Sequence, residues 1–278
     1  MEYFDRNGEI EVTGVGDFDL VRIFECGQCF RWEADANGVY TGVAFGCVVR
    51  LRREGESVFI SGGPEDFEKI WRGYFDLDRD YAEIRRRLCV DEFMCRAAGY
   101  GSGIRILRQD RWEALCSFII SQCNNIPRIK KIIAALCHQF GDRLEFGGEE
   151  YYAFPSAERL AALGEADLAP LRCGYRAPYI LGAAEAVVCG KLDLDSLSKK
   201  TPEEARKALK KLRGVGDKVA DCVMLFGLNM LDAFPRDIWM RRALAEHYGP
   251  GFDAGIFTPY AGVAQQYIFY YARSLGQK

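Results

Sequence analysis

The chain has 278 residues, of which 49% are hydrophobic and 28% charged, and its formal net charge is −3. These values are typical of a soluble globular protein of one large or two ordinary domains. No apolar run is long enough to cross a bilayer, and the acidic, polar N-terminus does not resemble a secretory signal, so we expect a cytoplasmic protein. The net charge argues against general attraction to nucleic acids but leaves room for a local basic face.

The first part of the chain, to about residue 98, is predicted to consist largely of strands. Apolar and polar residues alternate on both sides of Asn37-Gly38, which predicts a β-hairpin. A second hairpin is expected to turn near Glu54-Gly55. Two short helices should follow, within residues 64–75 and 78–88. The cysteines, eleven in number, are scattered, which favours reduced thiols.

Helical signals dominate after Gly103. Asp110 with Glu113 predicts a capping box, and a helix is expected to end at Gly141. The run 201–204, Thr-Pro-Glu-Glu, is a complete helix start before a helix that we expect to reach Leu212. The predicted fold class is α+β: a small antiparallel β-rich domain over residues 1–103, packed on an all-helical domain over residues 104–278 with a helical hairpin at 205–228.

The hairpin sequence LRGVGDKVADCV contains the glycines of a sharp turn, Gly214 and Gly216, on either side of Val215. Glycines at such a turn let the backbone approach another molecule closely, and the free amides of the next helix form an anion site that suits a DNA phosphate. Helical hairpins also use glycine for packing alone, so the turn by itself leaves both interpretations open.

Lys218 lies in the first turn of the helix after this turn, where the helix dipole disfavours a cation. The dipole and burial together would favour the neutral amine, which is a nucleophile for an electrophilic carbon. Cys222, four residues on, shares its helical face. Downstream, Asp237 either caps a helix and does nothing more, or is a carboxylate held near Lys218 that stabilises positive charge or moves a proton.

These residues resemble the helix-hairpin-helix DNA glycosylases, and most closely the 8-oxoguanine DNA glycosylases with AP-lyase activity. The lysine variant of the hairpin is typical of the bifunctional glycosylase/lyases. The motifs that carry the resemblance occur in the family's order along nearly the whole chain: CGQCFRW (26–32), RILRQDRWEALCSFIISQCNNIPRI (105–129), LRCGYRAPYI (171–180), the hairpin, FPRDIWM (234–240) and YAGVAQQYIFY (260–270).

The resemblance implies a base-excision reaction on duplex DNA containing 8-oxoguanine. Lys218 would attack the sugar C1′ of a nucleotide turned out of the duplex, expel the base and form a Schiff base, after which β-elimination would nick the strand on the 3′ side. Asp237 would stabilise the oxocarbenium-like charge. The Gly27 carbonyl would accept the N7–H that 8-oxoguanine has and guanine lacks.

Further site residues follow from the same resemblance. Gln265 would read the Watson–Crick edge of the base, and Phe269 and Cys222 would sandwich it. The aromatic run around Phe269 is also typical of a core, and a glycine at position 27 is also typical of a simple turn. Contacts to DNA are expected from residues that fill the gap in the helix or bind phosphate: Asn125, Arg128, Tyr175, Arg176, Gly214, Val215, Gly216 and Trp239.

The sequence departs from the family pattern at two positions. Cys123 replaces the first of three consecutive asparagines, a contact to the opposite cytosine, and this predicts weaker discrimination among opposite bases. Trp239 stands where many relatives carry a histidine near phosphate; its indole N–H can donate one hydrogen bond but cannot be charged.

No organic cofactor or catalytic metal is expected. Cys26 and Cys29 form a CxxC without a second pair, there are two histidines, and the last cysteine is Cys222, so the C-terminal iron–sulfur cluster of some relatives cannot form. The resemblance allows a monovalent cation at the hairpin carbonyls. We expect a monomer without membrane association, nucleoid-associated if prokaryotic. The alternatives are a glycosylase for alkylated purines, which Lys218 disfavours, and a DNA-binding module without catalysis.

Overall fold

The computed structural model describes residues 1–275. It contains strands and helices in the α+β arrangement that the sequence predicts. The strands are β1 (Glu2–Asp5), β2 (Glu9–Thr13), β3 (Trp32–Ala34), β4 (Tyr40–Ala44), β5 (Cys47–Glu54), β6 (Ser57–Ser61), β7 (Arg143–Phe146) and β8 (Glu149–Tyr152). Within residues 1–275 no helix has the length and apolar character needed to cross a membrane.

The helices occupy most of the remaining chain. The α-helices are α1 (Leu20–Glu25), α2 (Pro64–Asp66), α3 (Arg72–Tyr74), α4 (Tyr81–Leu88), α5 (Glu92–Tyr100), α6 (Arg111–Ile120), α7 (Ile126–Phe140), α8 (Ala157–Ala161), α9 (Glu165–Leu168), α10 (Ala177–Val188), α11 (Leu194–Leu197), α12 (Pro202–Leu209), α13 (Asp217–Phe226), α14 (Ile238–His247) and α15 (Ala261–Leu275). A π-helical segment, Phe67–Trp71, joins α2 to α3.

The first six strands form one sheet in the order β1-β2-β6-β5-β4-β3. Both predicted hairpins are confirmed. The pair Glu54↔Ser57 closes a two-residue turn between β5 and β6. The loop between β3 and β4 spans residues 35–39 and is longer than the Asn37-Gly38 signal suggested, because the side chain of Asp35 accepts hydrogen bonds from the backbone of Asn37 and Val39.

The chain forms two compact units. The first unit comprises Met1–Cys29, Leu51–Arg108 and the described chain from Asn229 onward, and the second comprises Phe30–Arg50 and Gln109–Leu228. In the first unit α15 packs on α5 and α14, and in the second α13 packs on α6 and α12. The division at residues 103/104 stays a prediction about domain organisation.

The region after Gly103 contains one feature that the prediction of an all-helical domain missed. β7 and β8 form a two-stranded antiparallel hairpin in which Phe146 pairs with Glu149. Its turn is Gly147-Gly148, and both glycines have positive φ, +61° and +79°. A Gly-Gly pair between strands is a recognised hairpin signal, so the sequence did contain the information.

The predicted helix ends differ in detail from the observed ones. Asp110 caps α6 by accepting from the backbone N–H of Glu113, but the box stays open because the Glu113 carboxylate pairs with Arg31 at 3.1 Å. Burial raises the pKa of Glu113. The capping box at Thr201 is confirmed, whereas α12 ends at Leu209 and not at Leu212.

The expectation of reduced thiols throughout is wrong at one pair. Cys89, which follows α4, forms a disulfide with Cys95 in α5, with the two Cα atoms 4.5 Å apart. Nine other cysteines of the described chain are free thiols, among them Cys26 and Cys29 of the CxxC. Burial raises the pKa of Cys26 to about 12, so this thiol stays protonated at neutral pH.

We predict that opening the disulfide destabilises the protein. A crosslink that closes so short a loop contributes about 2 kcal/mol, mainly by restricting the unfolded chain. Urea unfolding of Cys89→Ser should show a loss of that size, and the exposed free thiol variant Cys189→Ser serves as the control. Equal unfolding midpoints for Cys89→Ser and the parent protein would contradict the prediction.

Candidate active site

The turn between α12 and α13 uses its two glycines for different purposes. Gly214 has φ +85°, and a Cβ there would lie closer than 3.0 Å to three atoms of the Tyr179 ring. Gly216 has φ −93°, and a Cβ there would meet nothing within 4 Å. Val215 between them is buried. The fold therefore requires glycine at position 214, whereas Gly216 leaves open space at the start of α13.

Two ion pairs hold the helices of the hairpin together. Lys210 Nζ lies 2.5 Å from the Asp217 carboxylate, and Arg206 donates to the nearly buried Asp221 from Nη2 at 2.6 Å and Nε at 2.9 Å. Both pairs join α12, or the residue after it, to α13. They fix the direction in which the first turn of α13 presents its side chains.

Lys218 projects from that first turn into a partly buried setting. Its Nζ donates to Ser121 Oγ at 3.0 Å and lies 5.3 Å from the centre of the Phe118 ring. Both partners belong to the end of α6, and Phe118 is buried. Cys222, one turn further along α13, is also buried. The amine is therefore held by specific contacts and is not a freely solvated lysine.

The segment after α6 is shaped by Arg176. This arginine is only 4% exposed and donates to the carbonyl oxygen of Gln122 from Nε at 2.9 Å and to that of Cys123 at 3.2 Å. Cys123 is exposed and has φ +46°, a left-handed conformation that asparagine adopts more readily than cysteine. Arg176 thus supports the segment from within.

Asn125 and Arg128 lie at the start of α7. Asn125 is the N-cap: its Oδ1 accepts from the backbone N–H of Arg128 at 3.0 Å. The Arg128 guanidinium donates to the carbonyl oxygen of Arg172 at 3.3 Å. Both side chains are exposed, so each combines a structural contact with access for a ligand.

Tyr175 connects this segment to the hairpin. It is 49% exposed, and its hydroxyl donates to the carbonyl oxygen of Gln122 at 3.3 Å. Its ring contacts the Tyr179 ring edge-on at 5.9 Å, and Tyr179 in turn covers Gly214. Within the second unit the structure therefore brings together the lysine, the segment 121–125 and the glycine turn.

The remaining predicted site residues lie in the first unit. Gly27 follows α1 with φ +85°, in the left-handed region that favours glycine. The side chain of its neighbour Gln28 is fully buried and donates to the carbonyl oxygens of Ile23 and Arg105 while accepting from the backbone N–H of Leu107. These contacts fix the peptide that carries the Gly27 carbonyl.

Asp237 caps α14, as the sequence predicts, because its Oδ1 accepts from the backbone N–H of Met240 at 2.8 Å. Its Oδ2 accepts no hydrogen bond from residues 1–275. Two positions on, Trp239 is 38% exposed, with the Arg242 guanidinium 5.9 Å from its ring centre. That Asp237 faces Lys218 stays a prediction.

Buried polar atoms distinguish the start of α15. Gln265 is 4% exposed, and its Oε1 has no hydrogen-bond partner within the described chain. Leaving a buried amide oxygen unpaired is costly, which favours a site that a ligand completes. Phe269 is half-buried, so it is not committed to the core, and Arg273 lies 5.5 Å from its ring centre.

Sequence reasoning missed several residues that shape the site. Ser121 gave no signal, because it lies 97 residues from Lys218. Gln28 lies inside the quoted CGQCFRW motif, yet only its burial shows that it holds the turn. No group of three or more residues that could hold a metal ion occurs within the part of the chain that the structure describes.

Comparison with known proteins shows which family the chain resembles. Residues 12–115 match the N-terminal domain of 8-oxoguanine DNA glycosylase, and residues 116–253 match the HhH-GPD superfamily of base excision DNA repair proteins. The chain is 33% identical to the Saccharomyces cerevisiae N-glycosylase/DNA lyase over 82% of its own length and 68% of that protein's. It is 32% identical to Arabidopsis thaliana N-glycosylase/DNA lyase OGG1, over 94% and 75%.

The chain belongs to the 8-oxoguanine DNA glycosylase family. Its structure is also similar to that of the Clostridium acetobutylicum 8-oxoguanine glycosylase/lyase in complex with DNA containing cytosine opposite 8-oxoguanine. The TM-score is 0.94 at 40% identity, over 99% of both chains.

Alanine at the two turn glycines should separate folding from binding. Gly214→Ala should lower the free energy of unfolding by about 2–3 kcal/mol, because the new Cβ is both strained and overpacked against Tyr179. Gly216→Ala should leave stability nearly unchanged and weaken binding to duplex DNA. Thermal melts and fluorescence anisotropy measure the two effects, and equal destabilisation by both variants would contradict this division of roles.

Proposed function

We propose that the protein is a bifunctional DNA glycosylase and AP lyase that removes 8-oxoguanine from duplex DNA with Lys218 as the nucleophile. The observation that carries the proposal is the held, half-buried amine at the first turn of α13, in a chain of this family. The relatives named N-glycosylase/DNA lyase, and the glycosylase/lyase complex with 8-oxoguanine DNA, support the substrate and both activities.

The chemistry requires an amine, a leaving base and a route for protons. The Lys218 lone pair bonds to C1′ of the extruded nucleotide, and the bond from C1′ to the base breaks, with its electron pair leaving on the base, which takes up a proton. Loss of a proton from nitrogen and opening of the sugar ring give the Schiff base. Removal of a C2′ proton then expels the 3′ phosphate, which breaks the strand on the 3′ side.

In this proposal Asp237 stabilises the positive charge that develops on the sugar. A carboxylate suits the role because charge stabilisation needs an acceptor that is already oriented before the reaction. The cap on α14 fixes Oδ1, and this leaves Oδ2 for the substrate. The same carboxylate can assist the proton transfers.

Base recognition would depend on buried polar groups. The Gly27 carbonyl would accept the N7–H of 8-oxoguanine, whereas guanine presents a bare N7 acceptor and leaves that carbonyl unpaired, a difference of about 1–3 kcal/mol. The unpaired Gln265 Oε1 would accept from the Watson–Crick edge of the base. Phe269 and Cys222 would close the two faces of the base.

Contacts with the duplex would come mainly from the second unit. Polar groups for the gap that the extruded nucleotide leaves, and for the base opposite it, are exposed on Asn125, Arg128 and Tyr175. Arg176 binds the carbonyl oxygens of the segment just before Asn125. The amides at the turn of Gly214, Val215 and Gly216 suit a phosphate, and the exposed Trp239 indole can donate to another.

We also propose that the enzyme acts as a monomer in the cytoplasm, associated with the nucleoid if the cell is prokaryotic, and needs no organic cofactor, metal or iron–sulfur cluster for the reaction. Carbonyl oxygens of the hairpin would accommodate a monovalent cation. Its role would be to neutralise phosphate charge at the turn.

Borohydride trapping tests the nucleophile. The parent protein should become covalently joined to duplex DNA containing 8-oxoguanine when borohydride reduces the Schiff base. Lys218→Gln should trap at least about a thousandfold less while still binding the lesion, because removal of a nucleophile removes most of the rate. The exposed Lys199→Gln is the matched control and should trap normally. Trapping by Lys218→Gln at the parent rate would show that another amine is the nucleophile.

Opposite-base preference tests Cys123. Excision rates for 8-oxoguanine opposite C, A, G and T should differ little in the parent protein. Cys123→Asn should raise the preference for C about tenfold, since an amide offers both donor and acceptor where a thiol offers a weak donor. A steep preference for C in the parent protein would overturn the prediction.

A further inference from the structure

Ser121 has no assigned role, yet it is the residue that the Lys218 amine contacts. We propose that Ser121 is a positioning residue that binds the resting ammonium of Lys218 and directs the lone pair of the neutral amine. The inference rests on the proposed function of Lys218 as the nucleophile. Ser121 would set both the orientation of the amine toward the sugar and the pH range in which the amine reacts.

The direction of the hydrogen bond follows from the second contact of the hydroxyl. Ser121 Oγ donates its one proton to the carbonyl oxygen of Phe118 at 2.8 Å. Toward Lys218, 3.0 Å away, the oxygen can therefore act only as an acceptor. The contact to Phe118 is the local bond that serine commonly makes to a preceding carbonyl near a helix end, so the helix itself orients the acceptor.

Both neighbours of the amine stabilise its charged form. A hydroxyl acceptor interacts more strongly with an ammonium than with a neutral amine. The face of the Phe118 ring, 5.3 Å from Nζ, attracts a cation and does little for a neutral group. Removing either contact should therefore make the neutral amine available at lower pH.

The same acceptor orients the amine after it loses a proton. A neutral amine has two N–H bonds and one lone pair. When one N–H is directed at Ser121, the lone pair cannot point at the Ser121 hydroxyl and is confined to the directions that remain. The orientation of the amine affects the reaction rate directly, because a small misalignment of a nucleophile lowers the rate steeply. Ser121 therefore has two opposing effects, which a pH profile can separate.

The two carboxylates of α13 are paired with cations of the hairpin, and a buried thiol on α6 stays uncharged. Asp217 pairs with Lys210 and Asp221 with Arg206, while burial keeps the pKa of Cys116 on α6 well above its usual value. Further titratable groups lie on α6, α12 and α13 and in the adjoining loops: Asp110, Arg111 (paired with Asp195), Glu113 (paired with Arg31), Glu203, Glu204, Lys207, Lys211, Arg213 and the thiols of Cys222 and Cys123. Asp237, which the proposed function places opposite the amine, is present in every variant compared.

The experiment measures single-turnover Schiff-base formation with 8-oxoguanine duplex DNA at saturating protein, from pH 5 to 10. In Ser121→Ala the midpoint of the rising limb should move about one pH unit lower, as expected for losing a hydrogen bond to a charged group. The plateau rate should fall about tenfold because the Lys218 amine is no longer held in one orientation. Ser121→Thr keeps the hydroxyl and should restore both values.

Two further variants keep the test decisive. Ser198→Ala is the matched control, since Ser198 also follows a helix and donates to the carbonyl three residues back, and it should change neither value. Phe118→Leu removes the ring face and should lower the midpoint without removing the hydroxyl. The inference would be overturned if the midpoint of the rising limb stayed at the parent value in both Ser121→Ala and Phe118→Leu, even if the plateau rate of Ser121→Ala fell. Absence of any Schiff base in the parent protein would overturn the proposed function instead.

Discussion

The contact between the Lys218 amine and the end of α6 is the constraint on which the proposed chemistry depends. A lysine side chain has four rotatable bonds and strongly prefers water, so a nucleophilic lysine must be held. Here the ion pairs of the hairpin fix the backbone of α13, and Ser121 and Phe118 fix the far end of the side chain. The glycine turn, covered by Tyr179, determines where that helix begins.

Within the second unit, direct contacts connect the proposed nucleophile to the residues that we propose to bind the duplex. Arg176 holds the carbonyls after α6, Tyr175 contacts the same segment, and Tyr179 connects it to the turn. Ser121, which touches the lysine, immediately precedes that segment. A shift of the residues that we propose to bind DNA would therefore reach the amine through a short chain of packed groups. One unit can in this way carry both the proposed nucleophile and much of the proposed DNA interface.

The sequence predicted the parts of the site whose signals are local. The cap at Asp237, the start of α12 after Thr201 and the position of Lys218 in the first turn of α13 depend on neighbouring residues, and the structure confirms all three. The Ser121 contact depends on packing between helices far apart in the chain, and no local pattern reports it. The burial of Arg176 was missed for the same reason, since a guanidinium that binds three carbonyls resembles any exposed arginine in a sequence.

The most direct test of the central claim is the identity of the residue that bonds to the sugar. Protein reduced with borohydride on 8-oxoguanine DNA can be digested with nuclease and protease and mapped by mass spectrometry. We expect the mass of the reduced sugar remnant on the peptide that contains Lys218, with fragment ions placing it on that side chain. Finding the remnant on the N-terminal amine or on another lysine would show that Lys218 is not the nucleophile.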